Sequence, residues 1–145
     1  MSIKFRCDCP VTSAIDVLGD KWMLVIVKQM ILDHSQTFKD FIESSEGIAT
    51  NILSTKLKML EEIGVVKKSK LPHNKKTNLY HLTASGLALI PVISELILWS
   101  DGHLRGIHPI IQEGEGMIQL RSNKQAFLQY LEESYKKMVS EVVNS

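Results

Sequence analysis

Cysteine is scarce in this chain. Cys7 and Cys9 are the two among 145 residues, both near the N-terminal end. Two cysteines are too few for the disulfide framework of a small secreted scaffold. Long apolar runs are missing as well. The opening residues hold no stretch of signal-peptide length, and the richest run, 87–99, is interrupted by Pro91, Ser94 and Glu95. It is too short for a membrane span, so the expectation is a cytoplasmic protein with no membrane partner. Catalytic signatures are also lacking: there is no Cys-x-x-Cys, nucleophile elbow, Walker-type loop or Gly-x-Gly-x-x-Gly. A thiol nucleophile needs a base and an orienting group beside it. No enzyme is expected, no catalytic residue is assigned and no cofactor is implied.

Net charge is low, at +1, but it is unevenly spread. Residues 49–82 carry seven lysines (56, 58, 67, 68, 70, 75 and 76) against Glu61 and Glu62, while the remainder of the chain is net acidic. Positive charge confined to a third of a nearly neutral protein reads either as a polyanion footprint or as a solvated lysine face. The order of elements decides between them. With 44% hydrophobic and 23% charged residues, a chain of this length can bury one core without metals or disulfides.

Apolar positions Val11, Ala14, Ile15 and Leu18 predict a short first helix. Asp20 then caps a second, running to about Leu32, whose Trp-Met-Leu-Val-Ile-Val center is apolar all round. Trp22 reads as core, and Lys21 either reaches a phosphate or is an ordinary exposed lysine. Thr37 caps a third helix carrying Phe38, Phe41 and Ile42. A fourth, about 50–63, buries Ile52, Leu53, Leu57, Leu60 and Ile63 and leaves Thr50, Asn51, Ser54, Thr55 and Lys58 outside. Gly64 ends it in the left-handed conformation.

Residues 65–71 and 78–82 then read as two strands around the polar loop 72–77, which contains Asn74, Lys75 and Lys76. A helix-turn-helix followed by a lysine-bearing hairpin is a winged helix. Asn, Ser and Thr on the second helix can hydrogen-bond base edges, and hairpin ammonium groups can pair with phosphates. The predicted class is mainly α with a small β-hairpin wing, a winged helix-turn-helix with extra N- and C-terminal helices.

Four stretches carry a resemblance. They are Cys9-Pro10 with Ala14-Ile15-Asp16, and Gly19-Asp20-Lys21-Trp22. The third is Gly47-Ile48 through Ile52-Leu53-Ser54, Leu57, Leu60-Glu61-Glu62 and Gly64-Val65-Val66. The last is the run from Tyr80 to Gly86, with Leu89-Ile90-Pro91-Val92 and Trp99. In this order and spacing, over about residues 7–105, the chain resembles the HxlR family, a MarR-related group of bacterial winged-helix regulators. Two departures stand out. Ala49-Thr50-Asn51 replaces the family's Ser-Pro-Arg, and Lys75-Lys76-Thr77 replaces Pro-Pro-Arg at the wing. Alanine is a poor cap, costing about 1 kcal/mol unless the helix begins one residue later. Lysine keeps the charge of arginine but loses its bidentate fork. The resemblance therefore implies binding to double-stranded DNA without specifying an operator.

Thr83 is expected to cap a long helix with Pro91 bending its middle. Its apolar surface, including Ile93, Leu96 and Ile97, exceeds what one side of a small domain needs. The resemblance implies that this helix and the first form a homodimer interface, giving a pseudo-palindromic operator. The domain organisation is then 1–105, the winged helix with its dimerisation helices, and 106–145, a linker over 106–121 and a helix capped by Asn123. That last helix carries Phe127, Leu131, Tyr135, Met138 and Val142 on one stripe, for packing on the dimer helices of its own or the partner subunit.

A thiol at a helix N-terminus has its thiolate stabilised by exposed amides, lowering its pKa from about 8.5. Some HxlR-type regulators use a cysteine at the Cys-Pro position as a switch. That resemblance makes Cys9 the candidate sensor of a small reactive inducer and Cys7 its candidate partner, although Asp8 opposes ionisation. A structural Cys9 fits the sequence equally well. The alternatives are a metal-responsive regulator using Cys7 and Cys9 with His81, His103 or His108, and a winged helix that contacts only proteins. The five histidines lack ligand-like spacing, so no metal ligand is assigned.

Overall fold

The computed structural model describes residues 3–144. In chain order it contains α1 (Pro10–Leu18), α2 (Met23–Asp33), α3 (Phe38–Ile42), α4 (Thr50–Glu62), β1 (Val66–Lys70), β2 (Asn78–Leu82), α5 (Ala84–Leu87), α6 (Ile90–His103), α7 (Glu115–Ser122) and α8 (Lys124–Val143). This is a mainly helical winged helix-turn-helix.

Local chemistry sets the boundaries. Asp20 Oδ1 accepts the N–H groups of Trp22 and Met23 at 2.8 and 2.9 Å, so it caps the turn that leads into α2. The regular helix starts only at Met23. Its residues Met23, Ile26, Val27 and Met30 are fully buried and form the center of the core. Thr37 and Asp40 make a reciprocal capping box on α3. Ala49 precedes α4 without a side-chain cap, the weak start its identity predicts. Leu53, Leu57 and Leu60 of α4 are buried, while Ile52 and Ile63 are only half-buried. Gly64 closes the helix with φ of +79°, a conformation costly for other residues.

The strands pair antiparallel, Val66 opposite Leu82 through Lys70 opposite Asn78. Only Val66 of β1 is buried, whereas Leu79 to Leu82 all are. Gly86 lets α5 approach the hairpin root. A Cβ there would lie 2.4 Å from the Val65 carbonyl oxygen.

The C-terminal half departs from expectation in three ways. The single long helix is broken at 88–89 into α5 and α6, and Pro91 lies in the first turn of α6 instead of bending its middle. Proline has no N–H to bond back to Leu87, and that loss is harmless in a first turn. The segment Ala84–His103 is long and apolar enough, by length and composition alone, to cross a membrane, which the interrupted run did not predict. Here the break divides it, and Ile90, Ile93 and Ser94 face the core. Part of the expected linker is helical: α7 starts after Gly114 with Glu115 in its first turn and ends with Arg121 in its last. Those charges suit the helix dipole, and Leu120 anchors the helix by burial. The last helix, α8, is capped where the sequence places its start, by Asn123 Oδ1 on the Ala126 N–H, and packs on α2 and α6 of its own chain, one of the two placements expected for it. Its Phe127, Leu131 and Tyr135 join the common core, and Met138 and Val142 are half-buried.

Candidate nucleic-acid interface

With Leu53, Leu57 and Leu60 turned inward, Thr50, Asn51, Ser54, Thr55 and Lys58 are all exposed. Positions 51, 54, 55 and 58 follow helical spacing, so they form one polar stripe. Thr55 Oγ1 donates to the Asn51 carbonyl at 3.0 Å, which occupies its hydroxyl within the helix. Lys56 does not belong to the stripe. Its Nζ sits 2.6 Å from Asp20 Oδ2, tying α4 to the start of α2.

The wing presents Lys67 and Lys68 on β1 and Lys75 and Lys76 on the loop, all exposed. Among the described residues, none of these four, nor Lys58, has a carboxylate partner. Lys70 Nζ instead bonds Asn78 Oδ1 across the hairpin. Asn74, a candidate DNA contact by sequence, is occupied in building the loop. Its Oδ1 accepts the Lys76 N–H at 3.0 Å and its Nδ2 donates to Thr77 Oγ1 at 2.9 Å. Lys21 Nζ lies 5.4 Å from the Trp22 ring centroid, a cation–π contact. Trp22 itself packs partly buried against the core.

Behind the wing are contacts that sequence reasoning missed. His81 is buried, with Nε2 2.9 Å from Gln36 Oε1, and the Tyr80 N–H donates to the Gln36 carbonyl at 2.8 Å. Burial, aided by Lys67 opposite it, lowers the pKa of the imidazole. Gln36 and His81 are 45 residues apart, beyond the reach of any periodic pattern.

Cys9 is the N-cap residue of α1 and is half-buried, whereas Cys7 is exposed. The Thr12 N–H, then its hydroxyl, then the Val11 N–H hold the Cys9 thiol below its ordinary pKa. The histidines do not join the cysteines. His81 is engaged with Gln36, and the His103 ring lies against Trp99 at 5.5 Å. Among the described residues no three His, Cys, Asp or Glu side chains gather to hold a metal.

The expected dimer residues separate. Ile93 is 4% exposed and serves the chain's own core, so it is corrected out of any surface. Ile97 is half-buried, and Leu96 is 48% exposed. Val92 and Trp99 of α6 and Val11 and Ile15 of α1 are exposed with it.

The hairpin, the helix pair and their order define a winged-helix regulator. Residues 17–107 match the HxlR-like helix-turn-helix family, and the chain belongs to it. It is a transcriptional regulator of that type. In Bacillus subtilis (strain 168), the uncharacterized HTH-type transcriptional regulator YvaP is 36% identical over 93 residues, covering 63% of this chain and 85% of YvaP. The HTH-type transcriptional regulator YodB of the same organism is 33% identical over 94 residues, covering 64% and 83%.

Among solved structures, a putative transcription factor, PA1607, superposes with a TM-score of 0.62 at 31% identity, covering 68% of this chain and 67% of its own. The redox regulator HypR in its reduced form gives 0.60 at 25%, covering 70% and 99%. Quinone-bound YodB from B. subtilis gives 0.54 at 30%, covering 65% and 98%.

Proposed function

We propose that this regulator binds duplex DNA in the cytoplasm as a homodimer, laying α4 in the major groove and the β1–β2 wing against the phosphates. One observation carries the reading. Lys58, Lys67, Lys68, Lys75 and Lys76, all exposed on α4 and the wing, have no carboxylate partner among the described residues, whereas Lys56 on the same helix is held by Asp20. Cations left unpaired on a recognition helix and the wing after it are a surface waiting for polyanion charge. Asn51 and Ser54 supply base contacts, with asparagine suited to adenine, and the lysines supply position.

Residues 1–105 form the DNA-binding and dimerisation unit, and 106–145 extend it. Val92, Leu96 and Trp99 with Val11 and Ile15 form the self-association surface, since α6 and α1 leave these apolar side chains outside. A twofold dimer addresses two half-sites about 34–36 Å apart. Hydroxyl-radical footprinting on genomic fragments tests this. Two protected half-sites one helical turn apart, made by a protein that sediments as a dimer, are expected; a single half-site bound by a monomer contradicts it.

Cys9 is the switch. Its lowered pKa favours the thiolate, the attacking species, and YodB has been solved bound to a quinone. The thiolate adds to the quinone ring, and the quinone oxygen takes up the proton the thiol released. Change at the N-terminus of α1 then reaches the dimer surface to which α1 contributes.

A further inference from the structure

A cleft of about 580 Å³ lies between α2, α6, the loop before α7, α7 itself and α8. It falls within the 300–1,000 Å³ range, roughly, of small-molecule sites. Most of it is built by residues beyond the matched family region, which ends at 107. Leu32, Ile97, Met117, Leu120 and Phe127 make its lining apolar, and Lys28 sits at its wall. Among the described residues no carboxylate lines it; Ser100, His108 and Gln112 add neutral or basic hydrogen-bonding groups.

The loop wall is held in place. Arg105 donates from Nε to Asp101 Oδ1 at 2.9 Å and from Nη1 to the Ile111 carbonyl at 2.8 Å. Arg121 Nε bonds Asp101 Oδ2 at 2.7 Å, and Arg121 also pairs with Glu113. The Arg121 and Arg105 guanidiniums hold the Asp101 carboxyl far below the usual carboxylate range.

Lys28 also reaches the helix-turn-helix. Its Nζ lies 2.7 Å from Glu46 Oε2 in the turn between α3 and α4. The adjacent Gln29, 1% exposed, donates from Nε2 to Glu46 Oε1 at 2.8 Å and to Ser44 Oγ at 2.9 Å. Residues 28 and 29 thus pin the turn that precedes the recognition helix.

We propose that this cleft binds a small apolar carboxylate whose tail lies along Leu32, Ile97 and Phe127 and whose carboxylate takes the ammonium of Lys28. Apolar walls demand a hydrocarbon body, and Lys28, the single charged side chain among the described lining residues, selects an anion that takes its ammonium from Glu46. A bound carboxylate competes with Glu46 for the same ammonium and loosens the turn before α4. This regulatory consequence rests on the DNA-binding reading; the binding itself does not.

Calorimetry on the full chain with octanoate, octanol and octylamine tests the proposal. Octanoate is expected to bind once per chain, octanol at least tenfold more weakly and octylamine not at all. Lys28→Gln, which keeps the stem and removes the charge, is expected to reduce octanoate to the level of octanol. Absence of octanoate binding, as when a second copy covers the cleft, overturns the proposal, as does equal binding of octanoate and octanol to the unaltered protein. Full octanoate affinity in Lys28→Gln overturns it too. With duplex DNA present, saturating octanoate is expected to shift affinity by about fivefold or more in the unaltered chain and not in Lys28→Gln; an unchanged affinity overturns the coupling. Failure to bind DNA without octanoate sinks the DNA-binding reading alone, since the calorimetry contains no DNA.

Discussion

The hydroxyl oxygen of Tyr135, on the last helix, accepts a hydrogen bond from the Leu82 N–H at 2.9 Å, at the root of the wing. Both residues are buried. A backbone donor that leaves water needs a partner, and here a segment beyond the matched family region supplies it. The wing is therefore braced from α8, whose Phe127 and Leu131 are in the same core.

Removing that hydroxyl is expected to destabilise the protein. Tyr135→Phe leaves the Leu82 N–H buried without its acceptor, at a cost of about 1–3 kcal/mol. Urea unfolding measures it, and a midpoint equal to that of the unaltered protein refutes the brace.

The same phenol makes stability depend on alkaline pH. Burial pushes the Tyr135 pKa up to about 12, against the hydrogen bond from Leu82. A pKa raised in the folded state contributes stability that is present below the unfolded value, near 10, and lost as pH rises through 12. The fold is expected to weaken from pH 10 upward by roughly 2–3 kcal/mol for this group. Tyr135→Phe should show a correspondingly flatter profile in denaturant unfolding at pH 9, 10 and 11.

Exposed and buried positions on α6 should respond in opposite ways. Leu96→Glu with Trp99→Glu places charge on a surface already in water, so the chain is expected to fold normally and sediment as a monomer. Ile93→Glu buries an unpaired charge and is expected to unfold it, since Ile93 is 4% exposed. A dimer that survives the exposed double substitution removes α6 from the interface.

Cys9 should alkylate as a thiol of lowered pKa. Its rate with iodoacetamide is expected to reach half-maximum below the ~8.5 of a free thiol. In Cys9→Ser, DNA binding before and after diamide is expected to be identical, while the unaltered protein changes. An equal response in both ends the switch reading.

Much of this arrangement is legible in the residues themselves. The Leu53, Leu57 and Leu60 stripe with Gly64 after it defines α4, and the strands flanking 72–77 give the hairpin within a residue of its bounds. Asn123 marks the start of α8. What stayed hidden was nonlocal or ambiguous. Charge counting cannot tell that Lys56 answers to Asp20, 36 residues away, while Lys58 answers to nothing within the described chain. Gly114 and Gly116 disguise α7, whose signals are Glu115 at one end and Arg121 at the other. Pro91 reads as a mid-helix kink until the break at 88–89 makes it a first-turn residue. Ile93 and Leu96 look alike as apolar helix positions, and only tertiary packing sends one inward and leaves the other in solvent.

The salt dependence of duplex-DNA affinity, measured for the unaltered protein and for Lys75→Ala with Lys76→Ala, tests the central claim most directly. The claim predicts a linear fall of log affinity with log salt, with the double variant weaker on every sequence and its slope shallower by about one unit per lost phosphate contact. The same affinity and slope in both proteins, or affinity indifferent to salt, contradicts a lysine wing seated on phosphates.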